Sequence, residues 1–327
     1  MKFIKWLGLI VLVLIIAYFL GPRPAPPTYT HELPAVPGVG GLDQFVASTE
    51  ATHKLKPNNQ ARIVWANDSL KQQTEYAVVY LHGFSASQEE GNPVHIDFAR
   101  RFGCNLYLSR LAEHGIDTTE PLVTFTADKL WNSAKEAYAI GKQLGKKVIL
   151  IGTSTGGTLA LKLAAEYPDI AGLILLSPNI AINDPLAWVA NNHWGLQVAH
   201  LAKGKYNETG DTVAAVKQYW NTKYRMEAVT ELQELLETTM KSSLFEKVTQ
   251  PVLLLYYYKD EEHQDPTVKV SAMKRMFRQL GTPDSLKRAV AMPNADAHVI
   301  GSFLKSKDVV GVEKECIKFG EEVLKLK

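Results

Sequence analysis

A chain of 327 residues, 46% of them apolar, is long enough to bury one large core and still carry an insertion. Its 36 basic and 34 acidic residues leave a net charge of +2, and no basic patch is interleaved with aromatics, so nucleic-acid binding has no support. Cys104 and Cys316 are far apart, one entering an apolar strand-like run and the other on an amphipathic helix-like run, and read as two free thiols.

The segment Trp6 to Pro22 has no charge and follows Lys2 and Lys5. At 1.5 Å per residue it would reach roughly 25 Å, near the lower limit for a hydrocarbon core of ~30 Å. Residues 1–21 are therefore expected to form an N-terminal transmembrane helix, a signal-anchor with Trp6 and Tyr18 at the interfaces. A cleaved signal peptide is the alternative, although no small-x-small site follows the apolar run. The two lysines predict a cytoplasmic N-terminus, a single-pass membrane protein and a periplasmic or extracellular main domain. Pro22, Pro24, Pro26 and Pro27 predict a stiff linker over 22–45, ahead of a domain over 46–327.

Within that domain, strand-like runs at 61–66, 77–82, 104–109, 146–151, 171–177, 251–258 and 287–292 alternate from the second onward with helix-like runs near 93–102, 128–144, 155–166, 268–280 and 307–326. This pattern predicts an α/β fold: a mostly parallel central sheet, helices on both faces, and functional residues at the carboxyl ends of the strands. The alternation breaks between Ser177 and Pro251, where only short helices are expected, over 184–191, 194–202, 212–220 and 228–241. A helical lid over about 180–249 is the natural reading. Most of its aromatics, Trp188, Trp194, Tyr219, Trp220 and Tyr224, are expected to pack the lid itself, with one or two facing a pocket.

Gly152-Thr153-Ser154-Thr155-Gly156-Gly157 stands between an apolar strand and a helix-like stretch. A serine in so tight a strand-to-helix turn, with glycine two residues away on each side, is a candidate nucleophile. It needs a base and an acid downstream. His298, on a loop of small residues after the strand ending at Met292, suits the base. Two carboxylates compete for the acid: counting from the preceding strand favours Asp260, whereas counting back from the following helix favours Asp265, with Val268 fixing its loop. Asp265 is preferred, with residues 259–264 as a loop extension, and Asp260 stays open. The oxyanion donors expected are the amides of Thr155, at the start of the following helix, and Phe84, in the His82-Gly83-Phe84 turn after an earlier strand. His82 reads as structural.

In this order the turn at His82, the elbow at Ser154, the Asp265 loop and His298 resemble the α/β-hydrolase fold serine hydrolases. The carboxylesterase and monoacylglycerol-lipase type is the nearest-looking branch, sharing the turn and a segment like Leu111 to Gly115. The resemblance runs from Tyr76 to the C-terminus and departs at the stretched acid loop. It implies a serine esterase with a Ser-His-Asp catalytic triad, an acyl-enzyme intermediate, no cofactor or metal, and a small-molecule ester substrate, with a lean towards lipid-derived esters. An acyltransferase, thioesterase or peptidase would use the same residues, and a non-catalytic binding protein could keep the scaffold. His193, His200 and His263 lack metal-ligand spacing. His114 reads as a loop-fixing residue, Asp296 as facing water, and Asp43, Glu89 and Glu90 as solvated charge.

Overall fold

Strands that are apolar at nearly every position must be covered on both faces, and runs of this kind make the centre of the sheet. The computed structural model describes residues 2–327. Its elements begin with α1 (Lys2–Phe19), α2 (Leu42–Glu50), β1 (Arg62–Val64), β2 (Thr74–Leu81), α3 (Val94–Arg101), β3 (Asn105–Leu108), α4 (Ala127–Leu144), β4 (Gly145–Thr153), α5 (Thr155–Glu166) and β5 (Gly172–Leu176). The lid follows with α6 (Gly195–Lys203), β6 (Tyr206–Glu208), α7 (Ala214–Tyr219), β7 (Lys223–Arg225), α8 (Met226–Thr239) and α9 (Ser242–Phe245). The chain closes with β8 (Val252–Tyr256), α10 (Val270–Gln279), β9 (Lys287–Ala291) and α11 (Val309–Glu322).

The seven-stranded sheet has the order β1-β3-β2-β4-β5-β8-β9. Only β1, on the edge, runs antiparallel to its neighbour. Along β4 the side chains alternate: Val148 and Leu150 enter the core shared with α4, α5 and α10, while Ile149 and Ile151 enter the core shared with α3 and α11. Each such fully buried side chain contributes about 1.5–3 kcal/mol relative to exposure. Register places Gly152 beside Leu81 on one side and Leu175 on the other, so β2, β4 and β5 end level and their following loops share one edge. Cys104 and Cys316 are free and buried, and burial pushes the Cys104 thiol up to about 12.

In the lid, β6 and β7 pair as a short antiparallel ribbon where only helices were expected. Three residues per strand are too few for a two-residue periodicity to register in the sequence. The expected helix over 184–191 is reduced to a 3-10 turn, Ala187–Val189.

The N-terminal segment departs most from expectation. Among the described residues no helix is long and apolar enough to cross a membrane, so the expected transmembrane helix is not found as such. α1 has 18 residues, about 27 Å of helix, and it stops ahead of Gly21-Pro22, where proline lacks an N–H and disfavours helical backbone before it. Apolar side chains from Phe3 to Leu20 are exposed. The end of α1 meets the lid, with the Trp194 indole N–H donating to Ala17 O at 2.9 Å and the Trp194 amide to Pro22 O at 2.9 Å. Beyond it, residues 28–36 do not stand away as a spacer but strap across the α/β domain. The Trp131 indole donates to Thr30 O at 2.9 Å, Lys135 Nζ to Glu32 O at 2.9 Å and Tyr167 Oη to His31 O at 2.6 Å. The Lys162 ammonium lies 4.4 and 4.2 Å from the centres of the Tyr29 and Trp131 rings.

Candidate active site

Ser154 is the residue between β4 and α5, and its backbone is at φ 51°, ψ −118°. A non-glycine residue in such a region costs on the order of 1–3 kcal/mol, and the surrounding hydrogen bonds hold it there. Its amide donates to Leu176 O at 2.9 Å, and its carbonyl accepts from Gly157 and Asn179, each at 2.9 Å. The flanking glycines answer to close approach. A Cβ on Gly156 would lie 1.9 Å from Leu81 O on β2, and one on Gly152 would lie 2.5 Å from Gly156 O on α5.

The structure brings His298 against Asp265, Nδ1 to Oδ2 at 2.7 Å. The other oxygen of Asp265 accepts the amides of Thr267 at 2.9 Å and Val268 at 3.0 Å, and Val268 is fully buried. Asp260 is elsewhere. It is exposed and bonded to its own loop, accepting from His263 Nδ1 at 2.8 Å and from the amides of Glu262 at 3.0 Å and His263 at 2.8 Å. Residues 258–264 fold back on themselves, with Tyr258 bridging Gln264 and the Lys259 amide donating to His263 O at 2.9 Å. This small excursion carries the chain out and back before Asp265.

Burial pulls the His298 imidazole down, but the charge and hydrogen bond of Asp265, with a smaller contribution from Glu90, outweigh it and hold the group above its ordinary value of 6.5. With Nδ1–H donated to Asp265, Nε2 is the acceptor nitrogen, and it is buried without a hydrogen-bond partner. Ser154 and His298 line the same cavity.

The turn after β2 aims one amide by fixing the carbonyl on the same peptide. Gly83 O accepts from His82 Nδ1 at 2.9 Å and from the Ala86 amide at 3.3 Å. In a trans peptide the N–H points opposite to the C=O, so the Phe84 N–H faces away from this cluster. His82 Nε2 in turn accepts the Leu111 amide at 3.0 Å, and His114 Nε2 accepts the Ser85 amide at 3.0 Å. Burial keeps both rings neutral, His82 well below its ordinary value and His114 down at about 4. They are fixed posts rather than proton carriers. Thr155 opens α5, so its N–H has no intrahelical acceptor.

The cavity over Ser154 has a volume of about 640 Å³ and runs beneath the lid, between Phe84, Trp220, Tyr224 and Val198. Trp220 and Tyr224 are the lid aromatics that line it, whereas Trp188 and Trp194 are exposed. One wall is a residue expected from its sequence to be solvated charge: Glu90 is 2% exposed and lines the cavity with Ser154 and His298. Its one sequence signal is position, on the loop that leaves the turn after β2 at the carboxyl edge of the sheet. Asp296 is paired with Lys307 and accepts from the Tyr257 hydroxyl at 3.3 Å. Among the described residues no group of His, Cys, Asp or Glu is arranged to hold a metal ion.

A mostly parallel sheet with a strained serine at its central strand-to-helix elbow defines the class: the chain has the α/β-hydrolase fold. Residues 127–289 match the family described as serine aminopeptidase, S33. A thermostable monoacylglycerol lipase from a Bacillus species is 32% identical over 108 residues, 33% of this chain. The match spans 42% of that relative's length. Among solved structures, a metagenome-derived lipolytic enzyme from a study of LipS and LipT superposes with a TM-score of 0.64 at 17% identity, covering 81% of this chain and 98% of the other. A monoacylglycerol lipase of Paleococcus ferrophilus gives 0.55 at 17% identity over 79% and 98%. Est1E of Butyrivibrio proteoclasticus, solved with ferulic acid, gives 0.55 at 17% identity over 81% and 95%. At these identities the structural likeness speaks for the fold.

Proposed function

We propose that this chain cleaves carboxylic esters through a Ser154-His298-Asp265 triad. The observation that carries the reading is the couple between His298 Nδ1 and buried Asp265, which leaves an unpartnered Nε2 in the cavity that holds Ser154. Ser154 Oγ attacks the ester carbonyl carbon while Nε2 takes its proton, and the tetrahedral oxyanion is met by the Phe84 and Thr155 amides. Collapse breaks the bond to the alcohol, which leaves with the proton from Nε2, and an acyl-enzyme remains. Water then attacks that ester, His298 again takes and returns the proton, and the acid and free serine result. Asp265 keeps the imidazole in the tautomer that presents Nε2 as base.

A mostly apolar cavity and the lipase among the relatives favour lipid-derived esters with one acyl chain. The apolar side chains exposed all round α1 support attachment of the enzyme to a membrane. Lys2 and Lys5 ahead of the apolar run have the charge order of an export segment, which favours a periplasmic or extracellular catalytic domain. The decisive experiment is labelling of the full chain by an alkyl fluorophosphonate, together with hydrolysis of p-nitrophenyl esters from acetate to palmitate. Labelling and turnover that vanish in Ser154→Ala are the expected result. Turnover retained in that variant refutes the triad.

A further inference from the structure

Glu90 occupies the cavity without a part in the triad. It sits in the 3-10 turn Gln88–Gly91. A Cβ built on Gly83 would lie 2.8 and 2.9 Å from its two carboxyl oxygens and 3.0 Å from Ser154 Cβ, so carboxyl and nucleophile flank one Cα. One oxygen accepts the Gly83 amide, and the lid residue Trp220 lines the same cavity as the carboxyl. The same turn is fastened to the loop of the base. Ser302 Oγ donates to Glu89 O at 3.1 Å, the Phe303 amide donates to Asn92 O at 3.3 Å, and Pro93 bridges Ser302. On the lid side, the Asn221 amide donates to Ser85 O at 2.7 Å.

A buried carboxyl is a costly way to fill space, and burial pushes this one up to about 7 against the bond from Gly83 and the attraction of His298. Its position has a geometric use. Two peptide planes meet at Gly83. The plane that carries the Phe84 N–H is fixed by His82 through Gly83 O. The plane before it is fixed by Glu90 through the Gly83 amide. Without the second tie the glycine could rotate about φ, and the aim of the Phe84 amide would be lost.

We propose that Glu90 is a positioning residue of the reaction, holding the oxyanion turn from a seat shared with Trp220 and the His298 loop, so that lid, oxyanion turn and base are set together. The inference rests on the triad reading above. The ionisable groups facing the carboxyl are His298 from the loop after β9 and Tyr80 from β2, with Glu89 on its own turn; Asp265 lies behind His298, and Lys305, near the Trp220 ring, is paired with Asp211. When ionised, Glu90 raises the His298 imidazole. Glutamine keeps an acceptor for the Gly83 amide and drops that charge, whereas alanine removes both.

The test measures kcat, KM, the pH dependence of kcat/KM and the rate of fluorophosphonate labelling for the full chain carrying Glu90→Ala, Glu90→Gln or Trp220→Phe. Loss of one aimed oxyanion donor costs about 10²–10³ in kcat, so Glu90→Ala is expected to fall by about 10² or more, with KM held within about threefold. Glu90→Gln is expected to recover most of that loss and to move the acidic limb of the pH profile to lower pH. Trp220→Phe is expected to lie between the parent and Glu90→Ala. Parental kcat in Glu90→Ala, or a Glu90→Gln enzyme with the parental pH limb, overturns the proposal. Should the alanine variant not fold, the near-isosteric glutamine variant decides through its pH limb alone. A parent that fails to label at Ser154 defeats the triad, whereas normal labelling in every Glu90 variant defeats only this inference.

Discussion

Replacing Asp265 by asparagine tests the acid at the level of single atoms. The Oδ1 of Asp265 already receives two backbone amides, from Thr267 at 2.9 Å and Val268 at 3.0 Å. An asparagine must therefore turn its carbonyl oxygen to those donors, which sets its NH₂ against His298 Nδ1, 2.7 Å away in the parent. Two donors cannot share that contact. The imidazole relieves the conflict by moving its proton to Nε2, and the nitrogen in the Ser154 cavity is then no longer a base. Neutralising a triad acid in this way lowers kcat by about 10⁴, on the order of 5 kcal/mol in the barrier. Asp260→Asn disturbs only an exposed loop bonded to His263, and its effect on kcat should stay within about threefold because charge at that exposure is screened. Initial rates on p-nitrophenyl butyrate, with near-ultraviolet circular dichroism to confirm folding, give both numbers. Comparable losses in the two variants, or a larger one at Asp260, would refute the tautomer argument.

Since His298 is held above 6.5 and must be neutral to accept a proton, the rising limb of kcat/KM should lie at higher pH than for an ordinary histidine; a limb at or below 6.5 contradicts the assigned electrostatics. The same shift stabilises the fold below the unfolded histidine value and is lost as pH rises through the folded one, so urea midpoints at pH 5.5 and 8.5 should differ by more in the parent than in His298→Ala. Gly156→Ala should lower stability by about 3 kcal/mol or more, because its Cβ would meet a backbone oxygen at 1.9 Å that no rotamer can relieve; an unchanged urea midpoint would show that β2 yields more easily than this. A chain starting at Thr28, which keeps the strap, should retain kcat and lose flotation with lipid vesicles, whereas full-length protein that stays in the aqueous fraction argues against attachment through α1.

The alternation of strands and helices was legible because strands buried on both faces are continuous apolar runs, and all seven lie where the sequence places them. The elbow was legible for a local reason: the clashes that exclude any residue but glycine at positions 152 and 156 arise within one strand-turn-helix unit and its neighbour β2. The meeting of His298 with Asp265 was legible only as a choice between two carboxylates. The excursion over 258–264 is built from backbone pairing that carries no periodic signal, although Val268, fully buried, is the residue whose apolar character favoured the later register.

Where the reading failed, the deciding interaction lies across the fold. Pro22 to Pro27 and the residues after them carry the composition of a free spacer, yet Trp131, Lys135 and Tyr167, each more than a hundred residues away, supply the partners that lay residues 28–36 on the domain. Glu90 has the same character. In Gln88-Glu89-Glu90-Gly91 the two acids are indistinguishable as text, but the short turn directs Glu89 O towards Ser302 and the Glu90 carboxyl towards the Gly83 amide. That separation exists only once the His298 loop has docked beside the turn after β2. A buried acid at the meeting point of three loops is therefore visible from the assembled site and from nothing shorter, and the cost of burying it there is the physical reason to look for its use.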